Sequence, residues 1–159
     1  MTWGQIIFAI IMDTPGFLSP DGYSPNVWGK SLWLSMTLIA SNVPLVPTRE
    51  DSLAYFKFFD NLRRVIPCKS CRDEYSKMIR CGNPALRLRL SDFLQGPRDE
   101  PGTARKRVFT WIVRIHAHVN ARLKKKRRSS VAFWAKKYSA LRKTSRNITR
   151  GFPTGDLSG

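Results

Sequence analysis

Tyr55-Phe56-Lys57-Phe58-Phe59-Asp60-Asn61-Leu62-Arg63-Arg64-Val65-Ile66-Pro67-Cys68-Lys69-Ser70-Cys71 is the stretch on which the reading of the fold turns. Its first half is an apolar-aromatic run at helical spacing. Its second half is a CxxC pair behind a proline. Pro67 has the fixed φ that suits a first helical turn, so the two cysteines are expected just past a helix–helix junction, where a new helix begins. A helix start offers free N–H groups and the positive end of the peptide dipole. Lys69 and Arg72 add positive charge nearby. Each of these favours a thiolate. From these residues alone three readings stand open: a redox pair, half of a zinc site, or two unreactive thiols.

Working outward, Thr48-Arg49-Glu50-Asp51 has a hydroxyl followed by acids, which predicts a capped helix over about 49–65. Its aromatic stripe reads as core. The CxxC helix continues through Tyr75, Met78 and Ile79 and stops at Cys81-Gly82-Asn83-Pro84. Upstream, Ser24-Pro25 predicts an N-cap and first turn for a helix reaching about Asn42 before Pro44. Residues 83–102 are punctuated by Pro84, Gly96, Pro97, Pro101 and Gly102 and read as a loop with one helical turn near Ser91–Leu94. Over about 103–126, Val108, Ile112, Ile115, Val119 and Leu123 form an apolar stripe. Beside it, His116, Asn120 and Lys124 step by four and so share one face. After Lys124-Lys125-Lys126-Arg127-Arg128, Ser129-Ser130 can cap a last amphipathic helix carrying Val131, Phe133, Trp134, Tyr138 and Leu141. Residues 144–159 read as an unstructured end.

The 159 residues carry a net charge of +17, unevenly spread. Residues 1–60 hold three Lys or Arg against five Asp or Glu; residues 101–159 hold sixteen against one. This separates a nearly neutral core from a basic end that suits nucleic acid or another acidic surface. Three cysteines, Cys68, Cys71 and Cys81, are too few for a secreted disulfide scaffold. The apolar run Trp3–Met12 is shorter than the ~20 residues a spanning helix needs. No basic n-region or small-residue cleavage site marks a secretory leader. The expectation is a non-secreted protein without a transmembrane span. It has an apolar N-terminal extension over 1–24, a helical domain over 25–126 and a basic C-terminal helix and tail over 127–159.

Three segments occur in a telling order: Gly29-Lys30-Ser31-x-Trp33, Pro67-Cys68-x-x-Cys71, and Trp111-x4-His116-x-x-Val119-Asn120-x-x-Leu123. Together they resemble the G[RK]xxW, PCxxC and WxxxxHNxVNxxL segments of the Erv/ALR family of FAD-dependent sulfhydryl oxidases, over about residues 25–126. A short form with a basic end is similar to the versions of large cytoplasmic DNA viruses, iridoviruses among them. That implies action in the cytoplasm of an infected cell or in the virion. Two positions depart from the family pattern: Thr37 stands where His is usual, and Ala117 stands where Asn follows the helical His.

The resemblance implies an all-α fold, a four-helix bundle with a short fifth helix, binding FAD and forming a homodimer. It implies cofactor contacts from Gly29, Lys30, Trp33, Thr37, Cys71, Trp111, His116, Val119, Asn120, Leu123, Lys124 and Lys126, with Trp134 beside Trp111 at the adenine end, and no metal. It makes Cys68 and Cys71 the catalytic pair, disulfide-bonded at rest. Cys68, expected to face outward, is attacked by a thiolate of a dithiol protein substrate. Cys71 leaves and passes electrons to the flavin, with O2 as final acceptor and hydrogen peroxide as product. Cys81 is expected to be a buried free thiol, with an intersubunit disulfide as its alternative. Two rival readings rest on other features: a zinc module built from Cys68, Cys71, Cys81 and His116 or His118, and a nucleic-acid-binding protein using the basic, aromatic-bearing residues 122–146.

Overall fold

The computed structural model describes residues 2, 19–125 and 130–142. The apolar run at 3–12, Lys126, the arginines of the basic cluster and the end after 142 lie outside the described residues. Among the described residues there is no strand and no helix long and apolar enough to cross a membrane.

Four helices, α1 (Pro25–Ser41), α2 (Arg49–Val65), α3 (Lys69–Arg80) and α4 (Thr103–Arg122), are followed by a short α5 (Val131–Ser139). The expected all-α class and the four-plus-one arrangement are what the described residues adopt. Most helix starts are written locally. The Ser24 side chain accepts from the Asn26 N–H ahead of Pro25. Thr48 and Asp51 close a reciprocal capping box on α2. Ser130 caps α5 by accepting from Phe133 N–H. The 83–102 loop carries one more turn than expected: short 3-10 turns at Pro84–Leu86 and Leu90–Asp92, the first capped by the Asn83 side chain.

Two features differ from the sequence reading. Pro67 lies ahead of α3, not inside its first turn, because Cys68 is extended (φ −156°) and itself acts as N-cap. Helix α4 stops at Arg122, short of residue 126: the backbone turns left-handed at Lys124 (φ 53°). The Lys125 N–H folds back to the Asn120 carbonyl at 3.0 Å.

The helices pack as pairs, α1 against α4 and α2 against α3, with α5 laid across α4. Their shared core is aromatic. Phe59 meets Trp111 edge-on, centroids 5.2 Å apart, and Phe93 from the loop closes on both. Buried polar groups are paired, as desolvation demands. The Tyr75 hydroxyl donates to the Phe59 carbonyl at 2.9 Å and the Trp111 indole N–H to the Leu86 carbonyl at 2.9 Å. Arg107 ties the loop to α4 by bonding the Asp99 carboxylate and the Asp92 and Leu94 carbonyls. The result is a bundle with a large opening between α1, α3, α4 and α5.

Candidate active site

Cys68 and Cys71 are joined as a disulfide at the start of α3, Cα atoms 5.2 Å apart. One turn of helix imposes that spacing, and the Cys71 N–H donates to Cys68 Sγ at 3.2 Å. The two sulfurs have different surroundings. Cys71 lines a cavity of about 1060 Å³, at the top of the range for small-molecule sites. Cys68 does not line it and is 6 % exposed. The expectation that Cys68 faces outward is therefore corrected. The segment Asp21–Tyr23 lies across it, with Gly22 and Cys68 in an antiparallel bridge.

The cavity is walled by α1 through Gly29, Lys30 and Trp33, by α3 through Cys71, Tyr75 and Met78, by α4 through His116, Val119 and Asn120, and by α5 through Trp134, Lys137 and Tyr138. Residues scattered over a hundred positions of sequence thus meet around one opening that begins at the disulfide. Trp33 and His116 stack with centroids 4.4 Å apart and planes 16° from parallel. Trp134 lies 5.8 Å from His116 on one side and stacks with Tyr138 on the other. These large planar surfaces suit a planar aromatic ligand. Lys30, Lys125 and Lys137 reach the same cavity and bring positive charge to it.

Burial, and then repulsion from Lys125, push the His116 imidazole down to about 4. It is neutral at physiological pH and can present one donor and one acceptor. The sign of the stability effect follows. The unfolded chain takes up the His116 proton below about 6.5, whereas the folded chain resists it until about 4. Stability is therefore lost as pH falls across that window. A His116→Phe variant should show a flatter denaturation midpoint between pH 6.5 and 4 than the wild type. Urea titrations at four or five pH values measure it, and parallel curves would refute the assignment.

Three expected ligands do not reach the cavity. Trp111 is enclosed by Phe59, Phe93 and Leu86 because its indole N–H is committed to the Leu86 carbonyl. Lys124 is turned away by its left-handed backbone, and Lys125 takes its place. Thr37 is buried and does not line the cavity; its hydroxyl donates to the Trp33 carbonyl at 2.7 Å. Conversely, sequence reasoning missed Tyr75, Met78, Tyr138 and Lys125. Only Tyr138, one turn beyond Trp134, carried a usable signal, the period of α5.

Cys81 is exposed, correcting the buried thiol expected. It is the C-cap of α3, and the Cys81 and Gly82 N–H groups both donate to the Lys77 carbonyl. It sits in a shallow cleft with His118 and Arg122. Among the described residues no three of His, Cys, Asp and Glu gather as metal ligands do. The zinc constellation is thus not assembled: its cysteines are split between a disulfide and the far end of α3.

Two observations bear on whether the cavity fits a bound group. Gly29 lies inside a helix, where glycine costs about 1 kcal/mol relative to alanine. Yet a Cβ there would meet no protein atom within 4 Å. The opening at that point faces the cavity, which suits a ligand that comes close to the backbone. The Trp134 indole nitrogen is buried on the cavity wall with no hydrogen-bond partner. A ligand with an acceptor would satisfy it.

Comparison with known proteins adds lineage. The family model described as Erv1/Alr matches residues 30–139. The chain is 32% identical over 97 residues to a probable FAD-linked sulfhydryl oxidase of Acanthamoeba polyphaga mimivirus, covering 61% of this chain and 59% of that protein. It is 35% identical over 65 residues to a putative FAD-linked sulfhydryl oxidase of Invertebrate iridescent virus 6, covering 39% and 59% respectively. The chain thus spans 59% of the length of each of these relatives. The yeast Erv1 core structure superposes with a TM-score of 0.57 at 20% identity, over 82% of this chain and 97% of that one.

Proposed function

Since the chain belongs to the Erv1/Alr family, its residues 30–139 carrying the match, we propose that it is an FAD-dependent sulfhydryl oxidase that makes disulfides in dithiol protein substrates. The single observation that carries this reading is the disulfide at the start of α3 with one sulfur, on Cys71, lining a large aromatic-walled cavity. The cofactor site is assigned to Gly29, Lys30, Trp33, His116, Val119, Asn120, Leu123 and Trp134, with Lys125 replacing Lys124 as a cation for the pyrophosphate. When bound there, FAD supplies the two-electron acceptor that hands electrons on to O2 as hydrogen peroxide.

The protein's own part is positional and electrostatic. Substrate thiolate attacks Cys68, and the Cys68–Cys71 bond breaks with Cys71 leaving as a thiolate. The helix start and Lys69 stabilise the developing negative charge. A second substrate thiolate then releases Cys68. The substrate has lost two electrons, which now sit on the reduced pair. Neutral His116 and the indoles of Trp33 and Trp134 hold the cofactor without adding charge to it.

The viral relatives support a role in the cytoplasm of an infected cell or in the virion. A homodimer would use the outward side of α1, where the apolar Val27 is 78 % exposed. The basic residues after 100 support a tether to nucleic acid or another acidic surface, independent of catalysis.

The deciding experiment is purification with added FAD. The protein should turn yellow, retain flavin through gel filtration and release hydrogen peroxide with dithiothreitol. A folded, colourless sample that takes up no flavin would end the proposal. Gly29→Ala sharpens the test: the flavin-free protein should gain about 0.5–1 kcal/mol of stability while flavin affinity falls.

A further inference from the structure

Cys68 is the sulfur a substrate must reach, yet a stretch of the chain's own backbone covers it. The Tyr23 N–H donates to the Pro67 carbonyl at 2.7 Å, and the Lys69 N–H donates to the Asp21 carbonyl at 3.0 Å. These bonds flank the Gly22–Cys68 pair on both sides, which makes it the non-hydrogen-bonded type of antiparallel pair. There the two Cα atoms lie about 4.5 Å apart and the side chains are closest. That separation falls within the roughly 4.4–6.8 Å that a disulfide spans. The residue seated opposite Cys68 is therefore at disulfide distance from it.

In the cis segment that residue is glycine, with φ +81°. At that φ a Cβ would lie 2.7 Å from the Pro67 carbonyl oxygen, so a cysteine takes this register only with the ordinary extended φ of a strand residue, which aims its Cβ elsewhere. The segment occupies the position of a reacting residue while presenting no side chain. It is held from its other end by the Trp28 indole, which donates to the Tyr23 carbonyl at 3.0 Å.

We propose that the Pro67–Lys69 backbone is a docking edge for an extended segment of the substrate polypeptide, paired antiparallel with its reacting cysteine in the register of Gly22, and that Asp21–Tyr23 is an internal placeholder on that edge. This rests on the sulfhydryl oxidase reading and names its substrate class: dithiol chains that are extended around the cysteine, as in unfinished or flexible proteins. Main-chain bonds to Pro67 O and Lys69 N supply affinity without regard to side chains, as in other strand additions. Exchange of placeholder for substrate brings the substrate thiolate to Cys68 Sγ. The new substrate–Cys68 bond forms as Cys68–Cys71 breaks, and the electron pair stays on Cys71 as thiolate. The substrate's second thiolate then closes its own disulfide and leaves Cys68 reduced.

Amide hydrogen exchange at Lys69 reads the edge directly. Lys69 is the first residue of α3, where an N–H has no intrahelical acceptor, so the Asp21 carbonyl alone protects it. Gly22→Val in the full chain should dislodge the placeholder and speed Lys69 exchange roughly tenfold. Excess of an unstructured peptide of about ten residues, rich in Thr and Val with one central Ser in place of Cys, should restore protection. The same peptide N-methylated on the residue after that Ser, and so unable to donate to Pro67 O, should not. Unchanged exchange in the variant, no restoration by the first peptide, or equal restoration by both would overturn the edge. Restoration as expected in a protein that fails to oxidise dithiothreitol would overturn the activity instead, and with it the substrate assignment.

Discussion

Cys71→Ser should yield a protein that still binds flavin and is yellow, yet oxidises neither dithiothreitol nor a protein dithiol above the uncatalysed background. Cys71 is the sulfur that lines the cavity, and in the proposed reaction its removal cuts the link between Cys68 and the cofactor site. The remaining Cys68 is then a lone thiol, with no Cys68–Cys71 bond for a substrate thiolate to attack, so exchange with a reduced dithiol cannot begin. Oxygen consumption and the visible spectrum of the same sample measure both halves of the expectation. Full turnover by the serine variant would show that electrons take another route.

The second large effect concerns stability. Trp111→Ala should cost about 3–5 kcal/mol, as for other buried large aromatics, a large part of the ~5–15 kcal/mol that holds a domain folded. The loss combines an emptied space between Phe59 and Phe93 with a Leu86 carbonyl left without its donor. Trp111→Phe separates these contributions: it keeps most of the packing and should cost about 1 kcal/mol for the missing hydrogen bond. Denaturant midpoints measure both variants. Because Trp111 lies outside the cavity, flavin affinity of the folded Trp111→Phe protein should match the wild type. A marked drop would place Trp111 back at the cofactor.

These two positions show how far the sequence could be read. Helix starts were legible because caps are local: Ser24-Pro25, Thr48 with Asp51, and Ser130 each announce a boundary within four residues. Spacing showed that His116 and Asn120 share one face, but placing them and Trp33 at a cofactor came from the family resemblance, and all three line the cavity. Trp111 was not, since periodicity says that a residue is apolar-faced and leaves open whether core or cavity lies opposite. The fate of Lys124 depends on its own left-handed backbone at the helix end, which the apolar stripe of α4 does not encode. The cover over Cys68 comes from a pairing across more than forty positions, beyond what local pattern can report. Tyr75 and Met78 looked like ordinary core because their stripe on α3 packs inward along its length and meets the cavity at the same time.

Cys68 Sγ both carries the exchangeable bond and caps α3, taking the Cys71 amide. Half of a disulfide is a feeble acceptor, whereas a thiolate in the same place is a strong, charge-assisted one. Each arriving electron pair thus tightens the first turn that houses it, and each departure loosens it. The local backbone acts as a spring biased towards the dithiol form, the direction that the proposed oxidation of substrate thiols requires.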